Sequence, residues 1–215
     1  MEKLNTSQSE GLLAWFGDRE IKKISYDNLP AGAIGRFEGY SKRFISHREY
    51  VLQSFSGLYV VEYNSNEKAY IATQKKVFKK ETGDEIHDNI YLYEEKNDGY
   101  LGHAEIFLIN GESYAQVGFT ETKKEFYKQG YGLRRILFLN ALAQFFYKKP
   151  LASSTLFVEQ YIEGQKGIYP SKRIWEKLAQ NNIAKTTERN GHNSYIMSKV
   201  TKTREAVNSL LGEKI

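Results

Sequence analysis

The run Tyr127-Lys128-Gln129-Gly130-Tyr131-Gly132-Leu133-Arg134-Arg135 carries the most specific chemical signal in the chain. It falls where a strand-like pattern ends and a helical one begins. Glycines at such a junction let backbone amides approach a ligand closely, and the helix N-terminus adds four unpaired donors and a partial positive charge. Together they make a phosphate cradle. Arg134 and Arg135 point the same way, because cations in a first helical turn oppose the macrodipole at roughly 0.3–1 kcal/mol each unless an anion binds there. Other glycine motifs fail: Arg135 stands where a dinucleotide fingerprint needs its last glycine, and no Gly-Lys-Ser/Thr of a P-loop occurs. Gly-Tyr-Gly echoes an RNA-recognition element, but Leu133, Arg134 and Arg135 replace the aromatics that should follow.

The elements around this loop follow from hydrophobic period and turn signals. Strand patterns run over Ile21–Tyr26, Gly57–Tyr63, Lys68–Phe78, Asn89–Lys96, Tyr100–Ile109 and Ser113–Thr122, with helical periodicity over Ala31–Phe55, broken near Ser46. Asn97-Asp98-Gly99 and Asn110-Gly111 read as hairpin turns. A two-residue loop at Asn110-Gly111 sets Ile109 against Glu112, and counting outward sets Glu105 against Gln116 and His103 against Gly118. One face then carries Ala104, Ile106, Leu108, Ala115, Val117 and Phe119 as core, and the other, mixed face carries His103, Glu105, Phe107, Tyr114 and Gln116. Beyond the loop come a helix from Gly130 to Tyr147, a buried strand from Leu151 to Glu159, a helix over Ser171–Gln180 started by Pro170, and a hairpin of Lys185–Arg189 with Ser194–Val200. Helices are expected at both ends, within residues 1–18 and at Lys202–Leu211.

This order of antiparallel strands, Gly-x-Gly loop, helix, strand, helix and final strand pair resembles the GNAT acetyltransferase superfamily over about Ile21–Val200. Gly130 and Gly132 match its two loop glycines, and Ile174-Trp175-Glu176-Lys177-Leu178 is a second echo. The resemblance implies an α+β fold layered α/β/α: a central mixed, mostly antiparallel sheet with helices on both faces, an N-terminal helical extension and a C-terminal helix. It implies acetyl-CoA as co-substrate, with Thr120 and Thr122 on the strand contact and Gln129, Gly130, Tyr131, Gly132 and Leu133 on the pyrophosphate. Lys128 and Arg134 add charge beside them. Tyr127 departs from the family's leading Gln/Arg.

The family's base and acid positions fall on Gln116 and Trp175, and neither side chain can exchange a proton at neutral pH. Replacements are at hand. Glu105, read as the neighbour of Gln116 across the hairpin, could reach the site directly or through one water. Glu159 and His103 are further candidate bases; Tyr169, and less directly Tyr161, are candidate acids. The expected function is transfer of an acetyl group to a primary amine by direct attack, on a protein, a small amine or an aminoacyl-tRNA. The acceptor site would be built from Ala31–Phe55, Tyr161–Tyr169 and Arg189–Ser194.

Composition narrows the alternatives. With no cysteine among 215 residues, thiolate catalysis, thiolate metal sites and disulfide scaffolds are excluded. A net charge of +5 and pI near 9.1 favour an anionic partner, RNA included. Lys75, Lys76, Lys79, Lys80, Lys123 and Lys124 would be the phosphate contacts of a nucleic-acid-binding module, which stands beside a non-catalytic acetyl-CoA binder as the rival reading. No apolar run is long enough to span a bilayer, and the N-terminus has no signal pattern, so a cytoplasmic monomer or homodimer with no bound metal is expected.

Overall fold

The computed structural model describes residues 21–42, 50–51, 55–78, 81–153, 170–189 and 192–197. They fall into two compact units. The larger takes in described residues up to Glu112 together with Gly118–Tyr127, and the smaller takes in Ser113–Val117 and described residues from Lys128 onward.

The larger unit contains β1 (Ile21–Lys23), α1 (Ala31–Lys42), β2 (Tyr50–Val51), β3 (Gly57–Asn64), β4 (Glu67–Phe78), β5 (Glu85–Lys96), β6 (Gly99–Ile109) and the last residues of β7 (Ala115–Thr122). Its strands lie in the order β1-β3-β4-β5-β6-β7, with β2 also on β4. The antiparallel β4–β5 ladder runs unbroken from Glu67↔Lys96 to Phe78↔Glu85. Tyrosine, valine, isoleucine and threonine suit these pleated surfaces, and Asn97 and Asp98, at φ 51° and 57°, supply the twist of a tight hairpin turn.

Alternation gives this sheet two buried faces of different character. Val61, Ala69, Ile71, Ile90, Leu92, Ala104 and Ile106 make one fully buried apolar face. The other carries Ala72, Gln74, Lys76, Asn89, Tyr91, Tyr93, His103 and Glu105, and it is buried as well. Helix α1 packs there through Ala33 and Phe37, against Ala72, Tyr91 and Tyr93. Gly32 allows the approach, since a Cβ at that position would collide with the Tyr93 hydroxyl.

The smaller unit contains the first residues of β7, then α2 (Tyr131–Tyr147), β8 (Leu151–Ala152), α3 (Pro170–Gln180), β9 (Ala184–Arg189) and β10 (His192–Met197). Strand β8 runs parallel to β7, pairing Ala115↔Leu151 and Gln116↔Ala152, and β10 is antiparallel to both β8 and β9. Buried Asn140 of α2 accepts the Leu151 amide at 3.0 Å, which fixes the start of β8 after the helix turns back. From α3, Trp175 stacks on Tyr195 at 6.1 Å, and Ile174 closes on Gly132 of α2.

The layered α/β/α expectation is overturned. Among the described residues ten strands stand against three α-helices of 12, 17 and 11 residues. The physical reason lies in residues 57–122, where long strands joined by short turns bury their side chains on one another and leave little chain for helical layers. Of the helix expected over Ala31–Phe55, Ala31–Lys42 is helical, Tyr50–Val51 is instead strand, and residues 43–49 lie outside the described residues. The expected terminal helices, at residues 1–18 and Lys202–Leu211, lie outside the described residues.

Candidate functional site

The glycine loop takes the form its sequence suggests at one of its two glycines. Gly130 is the N-cap of α2 at φ 86°, a left-handed conformation that glycine adopts without strain, and nothing stands within 4 Å of where its Cβ would be. Lys128 is also left-handed, at φ 65°. The first turn of α2 contains no acidic residue and no side-chain cap, and the Arg134 amide makes the bond to Gly130 O at 3.0 Å. The donors of the preceding turn are those that a helix leaves without intrahelical acceptors.

Gly132 serves a different purpose. Its Cβ position lies 3.0 Å from Ile174 Cδ1, so the missing side chain makes room for α3. Tyr131 and Leu133 are buried. The arginines also divide, because consecutive helical residues point about 100° apart. Arg134 lies 4.7 Å over the Tyr131 ring, and Arg135 is fully buried, so the pair does not form the expected twin phosphate contact. Thr120 and Thr122 are half-buried in the part of β7 that belongs to the larger unit.

The catalytic candidates are dispersed. Glu159, Tyr161 and Tyr169 lie outside the described residues. Gln116 pairs with Ala152 in the smaller unit, and Trp175 is buried. Ile109 does meet Glu112, whose amide bonds to Ile109 O at 3.0 Å, but strand pairing resumes only at Ala115. The count outward therefore slips. Lys123 N bonds to Leu101 O, Phe119 stacks on His103 at 5.3 Å, and Gly118 lies against Glu105 and Phe107. Gly118 was expected opposite His103. Successive residues 118 and 119 now address one face, which marks a bulge in β7.

Glu105 itself is 4% exposed and sits in a polar cluster inside the larger unit. Asn89 Nδ2 donates to Glu105 Oε1 at 2.7 Å, Lys76 Nζ lies 3.6 Å from the same oxygen, and Tyr91 OH donates to Gln74 Oε1 at 3.0 Å. Lys76 is 1% exposed, with its Nζ 5.3 Å from the Tyr91 ring centre. Burial pushes the Lys76 ammonium below its usual pKa, and the Glu105 carboxylate opposes the shift. Beside the cluster, buried His103 is hydrogen-bonded to Tyr100, over whose ring Arg36 sits at 5.2 Å.

Sequence reasoning set Lys76 among surface phosphate contacts and passed over Asn89. The available signal was phase, since Lys76 alternates in step with Ala72 and Gln74. Of the other lysines in that group, Lys75 pairs with Asp88 at 3.7 Å and Lys123 with Glu125 at 3.0 Å, while Lys79 and Lys80 lie outside the described residues. Among the described residues no group of three or more His, Cys, Asp or Glu could hold a metal ion, and no helix is long and apolar enough to cross a membrane. No protein-family model matches this chain, and neither a curated protein nor a solved structure matches it significantly.

Proposed function

We propose that the chain is an acetyl-CoA-dependent N-acetyltransferase, with the coenzyme pyrophosphate on the backbone amides of Gln129–Leu133. The observation that carries this reading is Gly130: a left-handed, sterically open N-cap heading a 17-residue helix whose first turn holds no carboxylate. A pyrophosphate meets the backbone amides and the positive end of the helix dipole there. Lys128 adds a cation next to the loop. The acceptor in this reading is a primary amine that attacks the thioester directly, so that positioning supplies much of the rate.

Calorimetric titration with acetyl-CoA tests it. The native chain should bind, and Gly130→Ala, which has room for its methyl group but disfavours φ 86°, should bind at least about tenfold more weakly with its circular dichroism unchanged. Absence of binding heat from the native chain, or equal affinity in the variant, would end this reading.

A further inference from the structure

Lys76, Asn89 and Glu105 stand on three consecutive strands and on one face. Lys76 pairs in register with His87, which makes Asn89 its diagonal neighbour on β5, and Asn89 pairs with Phe107, which makes Glu105 its diagonal neighbour on β6. Long side chains reach across such diagonals. Both Lys76 Nζ and Asn89 Nδ2 converge on a single oxygen, Glu105 Oε1. An amine, a carboxamide and a carboxyl group that touches both are the components of an amide exchange.

We propose that Lys76 and Asn89 close an intramolecular isopeptide bond, with Glu105 carrying the proton between them. In the first step the Lys76 ammonium passes a proton to the Glu105 carboxylate, which leaves a neutral amine and a neutral acid. The Lys76 Nζ lone pair then attacks Asn89 Cγ. Glu105 delivers its proton to Asn89 Nδ2 as the Cγ–Nδ2 bond breaks, and the second proton that Nζ sheds follows the same route. The products are a Cγ–Nζ amide, one ammonium ion and the regenerated Glu105 carboxylate, so no oxidant or co-reactant is required.

Three features of the site favour this reaction over its competitors. Burial disfavours the charged form of Lys76, so the nucleophilic amine is accessible at a lower pH than in water. Asn89 Oδ1 is buried and has no hydrogen-bond partner among the described residues. Rotation of the carboxamide would turn this oxygen toward protonated Glu105, whose hydrogen bond then polarises the carbonyl for attack. Exposures of 1%, 3% and 4% for Lys76, Asn89 and Glu105 keep out the water that would otherwise hydrolyse Asn89 to aspartate. The proposal is independent of acetyl transfer, since it involves only side chains of the larger unit.

Mass spectrometry of the purified full chain decides the matter. The native chain should be lighter than its sequence mass by one ammonia, and tryptic digestion should yield a branched peptide joining the segments that contain Lys76 and Asn89. Lys76→Arg and Glu105→Gln should have their full sequence masses and no branched peptide. A native chain that keeps its full mass after prolonged incubation overturns the proposal, whether or not either variant folds. So does an ammonia loss that fragmentation locates at Asn110 or Asn190, where the following glycine permits succinimide formation. A branched peptide that persists in folded Glu105→Gln overturns the role given to Glu105.

Discussion

Lys76 Nζ lies 3.6 Å from Glu105 Oε1 in a part of the larger unit where both residues are almost wholly buried. A buried ion pair is held together by the cost of separating it: removing one partner strands a charge and costs about 3–5 kcal/mol, while exchanging both for neutral groups of similar volume is far milder. Lys76→Met and Glu105→Gln each strand one charge, so each should fall below the Lys76→Met/Glu105→Gln double variant in urea-unfolding free energy by an amount approaching that order. The double variant should be more stable than either single one, because glutamine still accepts the Asn89 amide and methionine fills the lysine's volume. None of the three can form the isopeptide bond, so their ranking is unaffected by it. A double variant less stable than both singles would contradict this account of the cluster.

Asn140 offers a test in the smaller unit. Its Oδ1 accepts the Leu151 amide at 3.0 Å inside a fully buried site, and Asn140→Ala removes that acceptor. A buried donor left without a partner costs about 1–3 kcal/mol. Thermal unfolding of the variant should show that loss, and hydrogen exchange at the Leu151 amide should quicken. Unchanged exchange would mean that the connection from α2 to β8 holds without this bond.

What the sequence made legible was local. Residues 57–122 could be read as strands because period-two alternation and the Asn97-Asp98-Gly99 turn are short-range signals, and the structure keeps both. The hairpin count failed because it took Asn110-Gly111 as the whole connection, whereas β7 begins at Ala115 and bulges at Gly118. A bulge leaves no mark in hydrophobic period when the residues around it are small or aromatic on both sides. The polar cluster stayed hidden for another reason. Lys76, Asn89 and Glu105 each read as a solvated residue in its own strand, and only the β4–β5–β6 register brings them to one buried face. The glycine loop was legible at Gly130. At Gly132 the missing side chain makes room for Ile174 of α3, and Arg135 is fully buried, two surroundings set by residues distant in sequence that the loop motif does not reveal.

Tyr70 provides a pH test. Its hydroxyl is pushed up to about 12 by burial first, and then by the charge of Glu95 and a hydrogen bond to it. A phenol whose pKa is higher in the folded chain than in the unfolded one contributes stability that is present below the unfolded value, near 10, and is lost as pH rises through the folded value. Stability should therefore fall between about pH 10 and 12, and tyrosinate absorbance should show a late component that disappears in Tyr70→Phe. A Tyr70→Phe titration curve superimposable on the native one at high pH would refute the assignment.

The three glycines of α1 should respond to alanine in opposite directions. Gly35 and Gly39 have nothing within 4 Å of their Cβ positions, so Gly35→Ala and Gly39→Ala gain helix propensity without a clash, and each should stabilise the chain by about 0.5–1 kcal/mol. Gly32 faces Tyr93, whose hydroxyl and Cζ occupy the space a methyl group would need, with Cζ at 2.9 Å. Gly32→Ala must therefore lift α1 away from Tyr91 and Tyr93 or force the Tyr93 ring aside, and overpacking of this kind costs about 1–3 kcal/mol. Because the hydroxyl makes the closest approach, Tyr93→Phe should recover part of that loss in the Gly32→Ala background while doing little for the native chain. Denaturant unfolding of the four single variants and the Gly32→Ala/Tyr93→Phe double variant measures all of these terms. Stabilisation by Gly32→Ala, or a double variant no better than Gly32→Ala alone, would show that α1 does not rest on Tyr93 as described.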